Sequence, residues 1–182
     1  MARLSARRAA LLVAGLMAAS LTPAPAIAAS PAAAGQPGPC KARALAPSWA
    51  PGGTAKPGGV PGEQVTAVVA LKNTGSRACT VHGYPKVVLK MGTETAGVQT
   101  ETFREQTSVR PKPVTLAPGA SARFTLTFLS AKESEENVIV PGVAEITPPK
   151  GKTSKQLKWH WGPVLRQEAA THPGNFVGPV TK

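Results

Sequence analysis

Residues 121–130 restrict the fold of this chain more than any other stretch. Ala122, Phe124, Leu126 and Phe128 alternate with Arg123, Thr125 and Thr127. A period of two sends successive side chains to opposite faces, so this segment reads as a half-buried antiparallel strand. Residues 64–72 repeat the theme with a difference. Val65, Ala67, Val69 and Leu71 share one face, but Val68 and Ala70 make the other face apolar too, which predicts a central strand. Shorter strands are predicted over 78–81, 86–91, 143–147, 156–161 and 175–180, with another around 98–103. Residues 114–117 read as the hairpin partner or lead-in of the 121–130 strand, through a Pro118–Gly119 turn. The only helical candidate is a single turn over 131–137. Seven or eight short strands separated by turn residues predict an all-β protein, an antiparallel β-sandwich of immunoglobulin-like architecture, with a closed barrel as the alternative.

Composition agrees and adds organisation. The first 28 residues read as an export signal. Arg3, Arg7 and Arg8 form a basic start, residues 9–21 an apolar run, and Ala26-Ile27-Ala28 a small-residue cleavage site. The apolar run is shorter than the ~20 residues a membrane span needs, and no second such run follows. Arg7-Arg8 invites a twin-arginine reading, but Ala10 stands where a bulky apolar residue belongs, so general secretion is favoured. Cys40 lies too far downstream for a lipoprotein box. The expected mature chain, 29–182, has 154 residues, enough for one ordinary domain. Residues 29–62 hold seven Pro and seven Gly, a composition that buries little apolar surface. They are therefore expected to form a flexible or extended arm, from which Leu45 and Trp49 reach onto the body, with the sandwich proper over 63–182.

The chain holds two cysteines, Cys40 and Cys79. In an exported protein this count reads as one disulfide, tying the arm to the body; no C-x-x-C and no histidine at ligand spacing suggest redox or metal chemistry.

Two segments carry a resemblance. Leu71-Lys72-Asn73-Thr74-Gly75-Ser76 followed by Cys79-Thr80-Val81-His82-Gly83-Tyr84-Pro85, and then Val114-Thr115-Leu116-Ala117-Pro118-Gly119-Ala120-Ser121-Ala122, resemble the two signatures of an exported actinobacterial family, domain of unknown function 4232. The similarity runs from about Cys40 to Val180. It implies a small sandwich on or outside the cell, with no activity established for the family as a whole. Members often carry further cysteines in the second half, and this chain has none there. On physical grounds alone, Asn73 and Gly75 are expected at positive φ in a tight turn. Gly83, Tyr84 and Pro85 are expected to form a structural corner, with the Tyr84 hydroxyl bonded to backbone.

Chemistry is sparse. All nine acidic residues are Glu, and the lack of Asp excludes a Ser-His-Asp triad, Asp-based calcium loops and a Walker-B magnesium site. No G-x-S-x-G, H-E-x-x-H or phosphate-binding glycine loop occurs. His82, His160 and His172 lack ligand spacing. No enzyme, cofactor or metal is expected, the alternative being an enzyme with an unrecognised Glu/His site. Two features suggest binding. Trp159 and Trp161 flank His160, and in a strand their indoles would share a face. Outward, they make a stacking platform for sugars; inward, they fill the core, which the alternation with Leu157 favours. Lys150, Lys152, Lys155 and Lys158 form a basic stretch in a mature chain with 18 Lys and Arg against 9 Glu. Nucleic acid is disfavoured outside the cell and without interleaved aromatics. An anionic cell-wall polymer or another envelope protein is the expected partner.

The bridge is directly testable. Replacing both cysteines (Cys40→Ser with Cys79→Ser) is expected to lower stability in urea denaturation by about 4 kcal/mol, the chain-entropy value for a loop of this size.

Overall fold

In the computed structural model, residues 37–91, 100–167 and 174–182 are described. Among them the chain forms thirteen strands: β1 (Leu45–Gly53), β2 (Gln64–Asn73), β3 (Cys79–Val81), β4 (Lys86–Lys90), β5 (Thr100–Thr102), β6 (Arg104–Glu105), β7 (Val114–Leu116), β8 (Ser121–Leu129), β9 (Val138–Ile139), β10 (Val143–Thr147), β11 (Lys155–Lys158), β12 (Val164–Leu165) and β13 (Phe176–Val177). One sheet runs β1-β2-β8-β13-β6 and the other β11-β10-β4-β5, with two small ribbons, β12-β9 and β3-β7. Both larger sheets are open-ended. The protein is a β-sandwich and not a barrel. The strand number exceeds seven or eight because several connections pair over only two or three residues.

The alternating segments do what their period requires. β2 and β8 pair antiparallel in unbroken register from Gln64 opposite Leu129 to Lys72 opposite Ser121. Their inner faces bury Val65, Ala67, Val69 and Leu71, and Ala122, Phe124, Leu126 and Phe128. Val87 and Leu89 of β4, with Ala144 and Ile146 of β10, join the same apolar cluster from the second sheet. The Phe128 ring meets Phe103 and Trp159 edge-on, at centroid separations of 6.4 and 5.0 Å. Burying side chains of this size contributes roughly 1.5–3 kcal/mol each.

Two expectations change, and one pair of alternatives is decided. First, 45–53 belongs to the sandwich and not to a loose arm. β1 pairs with β2 from Leu45 opposite Asn73 to Gly53 opposite Ala67, with an irregularity between Ala50 and Gly53. Leu45 is 1% exposed. The proline-rich composition suits this edge position, since Pro47 and Pro51 withhold only donors that an edge strand can spare. The unit that holds the sandwich therefore takes in 37–62 as well; residues 29–36 lie outside the described residues. Second, β7 pairs with β3 and not with β8, so 114–117 is a lead-in. Third, 131–137 is a pair of turns without a helix, held by Lys132 N–H on Glu135 Oε1 at 2.8 Å.

Asn73 also differs from expectation. Neither it nor Gly75 takes a positive φ. The turn is built by the Asn73 side chain, which is 1% exposed. Its Oδ1 accepts the Gly75 N–H at 2.9 Å, and its Nδ2 donates to the carbonyls of Arg77 and Leu116 at 2.9 and 3.1 Å, with Ala117 O at 3.3 Å. One amide thus joins the end of β2 to the end of β7. The next turn closes with Ala120 N–H on Ala117 O, and Gly119 supplies the positive φ of 78° behind Pro118.

Asn73→Ala removes these side-chain hydrogen bonds and is expected to cost about 2 kcal/mol in urea denaturation, with native circular dichroism at zero denaturant.

Candidate functional site

Cys40 and Cys79 form the disulfide, with Cα atoms 4.8 Å apart. Around it the chain 37–43 is laced to β3. Cys40 N–H donates to Thr80 O, Thr80 N–H to Gly38 O, and the Thr80 hydroxyl to Pro37 O at 3.0 Å. A short 3-10 turn, Ala42–Ala44, then leads into β1, and Ala44 O accepts both the backbone N–H and the hydroxyl of Thr74.

Facing this segment is the 148–153 turn between β10 and β11. The turn closes with Gly151 N–H on Pro148 O at 2.9 Å. It lies so close to the 3-10 turn that a Cβ at Gly151 would stand 2.8 Å from Ala42 Cβ and 2.9 Å from Pro148 O. Glycine is required there for the two segments to approach.

Between them lies an open groove of about 1070 Å³, walled by Lys41 and Arg43 on one side and Lys150 and Lys152 on the other, with His82, Val81 and Cys40 along it and Pro37, Pro39, Pro113 and Pro149 stiffening it. The four cationic side chains are exposed, and among the described residues no acidic one lines the groove. Mutual repulsion of solvated charges several Å apart amounts to about 1 kcal/mol or less per pair, which the bridge and backbone bonds can hold. The groove therefore carries a surplus of positive potential.

The predicted basic stretch is thereby divided. Lys150 and Lys152 line the groove. Lys155 sits beside it, half-buried, with Nζ 3.3 Å from Arg43 O. Lys158 is exposed further along β11 and does not line it. Lys41, Arg43 and His82 completed the site without being singled out in the sequence. The disulfide spacing alone placed Lys41 and Arg43 near β3, but nothing local showed that 149–153 would meet them.

The tryptophans also separate. β11 ends at Lys158, so Trp159-His160-Trp161 does not continue the strand. Trp159 is 5% exposed, and its Nε1 donates to Gly162 O at 2.7 Å. Trp161 is half-buried. Both indoles, and the His160 ring, meet Trp49 edge-on at centroid distances of 5.5–5.7 Å. Trp49 Nε1 in turn donates to Lys158 O at 2.9 Å, joining the edge strands of the two sheets. The rings form a perpendicular cluster, not a flat pair. Tyr84 is half-buried, and its hydroxyl lies against the carbonyls of Gln106, at 3.2 Å, and Val109. Gly83, at φ 118°, accepts the Val180 N–H, and Pro85 is buried.

His82 Nε2 lies 3.2 Å from Pro111 O, His160 is exposed against Trp161, and His172 is outside the described residues. Among the described residues no three of His, Cys, Asp or Glu gather to hold a metal ion, and no helix is long and apolar enough to cross a membrane.

Fold and site define a disulfide-tied β-sandwich that presents a cationic groove. A family model described as "Domain of unknown function (DUF4232)" matches residues 40–180, and the chain belongs to that family. No curated protein matches the chain.

The two indoles are expected to differ on substitution. Trp159→Ala should cost about 3–5 kcal/mol in urea denaturation, as for other large buried aromatics. Trp161→Ala should cost clearly less and leave the remaining tryptophan emission blue-shifted.

Proposed function

We propose that this protein is a secreted, non-enzymatic binding module of the cell envelope whose basic groove holds an anionic wall polymer. The observation that carries the reading is the groove itself, with Lys41, Arg43, Lys150 and Lys152 on facing walls and no carboxylate among the lining residues. Such a channel attracts a chain of phosphates or carboxylates at long range and positions it at short range. The disulfide supports a location outside the cytosol, in keeping with the export signal read from residues 1–28. A carbohydrate platform built on Trp159 and Trp161 has less support, because Trp159 is in the core and the rings meet edge-on.

The test is co-sedimentation with isolated cell walls that retain their anionic polymers, at low salt. A variant carrying Lys41→Gln, Arg43→Gln, Lys150→Gln and Lys152→Gln should bind about a thousandfold more weakly, from roughly 1 kcal/mol per cation facing an anionic surface. Binding by the wild type should also fall steeply as salt is raised. Equal binding by the two proteins would remove the groove from the function.

A further inference from the structure

Two tight turns in this protein share one geometry and differ in one residue. In the first, Ala117-Pro118-Gly119-Ala120, the N–H of the fourth residue donates to the carbonyl of the first, and the third residue has φ 78°. In the second, Pro148-Pro149-Lys150-Gly151, the same hydrogen bond closes the turn and the third residue has φ 58°. A proline followed by a residue at positive φ calls for Gly, or Asn, in the third place, because a Cβ there crowds the backbone. The first turn has Gly119. The second has a lysine, and Asn137 is the only other non-glycine residue with positive φ among those described.

The second turn also has nothing to gain locally from a lysine. The Lys150 side chain is exposed and, among the described residues, makes no hydrogen bond or ion pair. The turn around it is fixed on every side. Pro149 Cβ lies where a Cβ on Gly83 would be 3.4 Å away, and Gly151 is pressed onto Ala42. The ammonium-bearing chain therefore leaves a rigid mount on the rim of the groove, opposite Lys41 and Arg43.

We propose that Lys150 is the groove's principal anion-contacting residue, and that its left-handed conformation is retained because it directs this cation at the bound polymer. This rests on the reading of the groove as a polyanion site and names the residue that determines its affinity. A backbone outlier kept at the edge of a charged groove is the kind of local cost that binding sites retain. The ligand chemistry is a chain of closely spaced oxyanions. Phosphate and carboxylate chains both offer it, and Lys150, as a compact point charge, accepts either.

The experiment uses the full mature protein with two probes, inorganic polyphosphate and poly-glutamate, and three variants: Lys150→Gly, Lys150→Arg and Lys132→Gln. Lys132 lies in the 131–137 turns and does not line the groove, so its loss makes the same change in net charge elsewhere. Lys150→Gly should raise the urea midpoint, since glycine suits the turn, and weaken binding of the preferred probe about fivefold at low salt. Lys150→Arg should keep the wild-type urea midpoint and bind within about twofold of wild type, and Lys132→Gln should change binding by less than about twofold. Preference of the wild type for one probe identifies the oxyanion. If Lys150→Gly binds like Lys132→Gln, or fails to raise the midpoint, Lys150 has no special part and the proposal falls while the groove stands. If the wild type binds neither probe, the groove reading falls with it.

Discussion

The nine-residue pairing of β2 with β8 holds the rest of the molecule in place. It aligns two apolar faces so that four side chains from each strand enter one layer, and no residue along it breaks the register. A slip of one residue would turn Phe124, Leu126 and Phe128 to the opposite face, so burial itself enforces the alignment. From that ladder the other elements take their positions. β1 adds beside β2 and β13 beside β8, while Trp159, just past β11, and Phe103, between β5 and β6, meet the Phe128 ring.

The groove is a product of connections more than of sheets. Its walls are a segment preceding the first strand and a turn between β10 and β11, neither with a core of its own. What brings them together is covalent and steric: the Cys40–Cys79 bridge, three hydrogen bonds between 37–40 and Thr80, and the bare Cα of Gly151 against Ala42. Such an arrangement can hold like charges near one another because their ordering has been met by other interactions. That pre-ordering lowers what a ligand must supply on binding.

Much of the fold was legible in the sequence. β8 and β10 declare themselves by strict alternation or by β-branched runs between turn residues, and β2 by its apolar second face. The arm was misread because Pro and Gly suppress the usual strand pattern; Leu45 and Trp49 were the visible exceptions, and both prove to be anchors of β1. Asn73 was read through its turn propensity, whereas its side chain does the joining. Lys150 and Lys152 were readable as a basic pair, but their opposition to Lys41 and Arg43 depends on contacts more than a hundred residues apart in the chain, which no local pattern encodes. The favoured core reading of Trp159 agrees with its burial, but β11 stops at Lys158, so strand alternation does not relate Trp159 to Trp161.

The edge strands have a consequence for crowding. β1 carries Pro47 and Pro51, and β11, at the border of the other sheet, carries Lys155 and Lys158. Missing donors on one border and like charges on the other both hinder a second molecule from adding a strand at these two edges. A protein concentrated along a polyanionic scaffold would meet its own copies constantly, and these borders would let many stand side by side without fusing into a fibre.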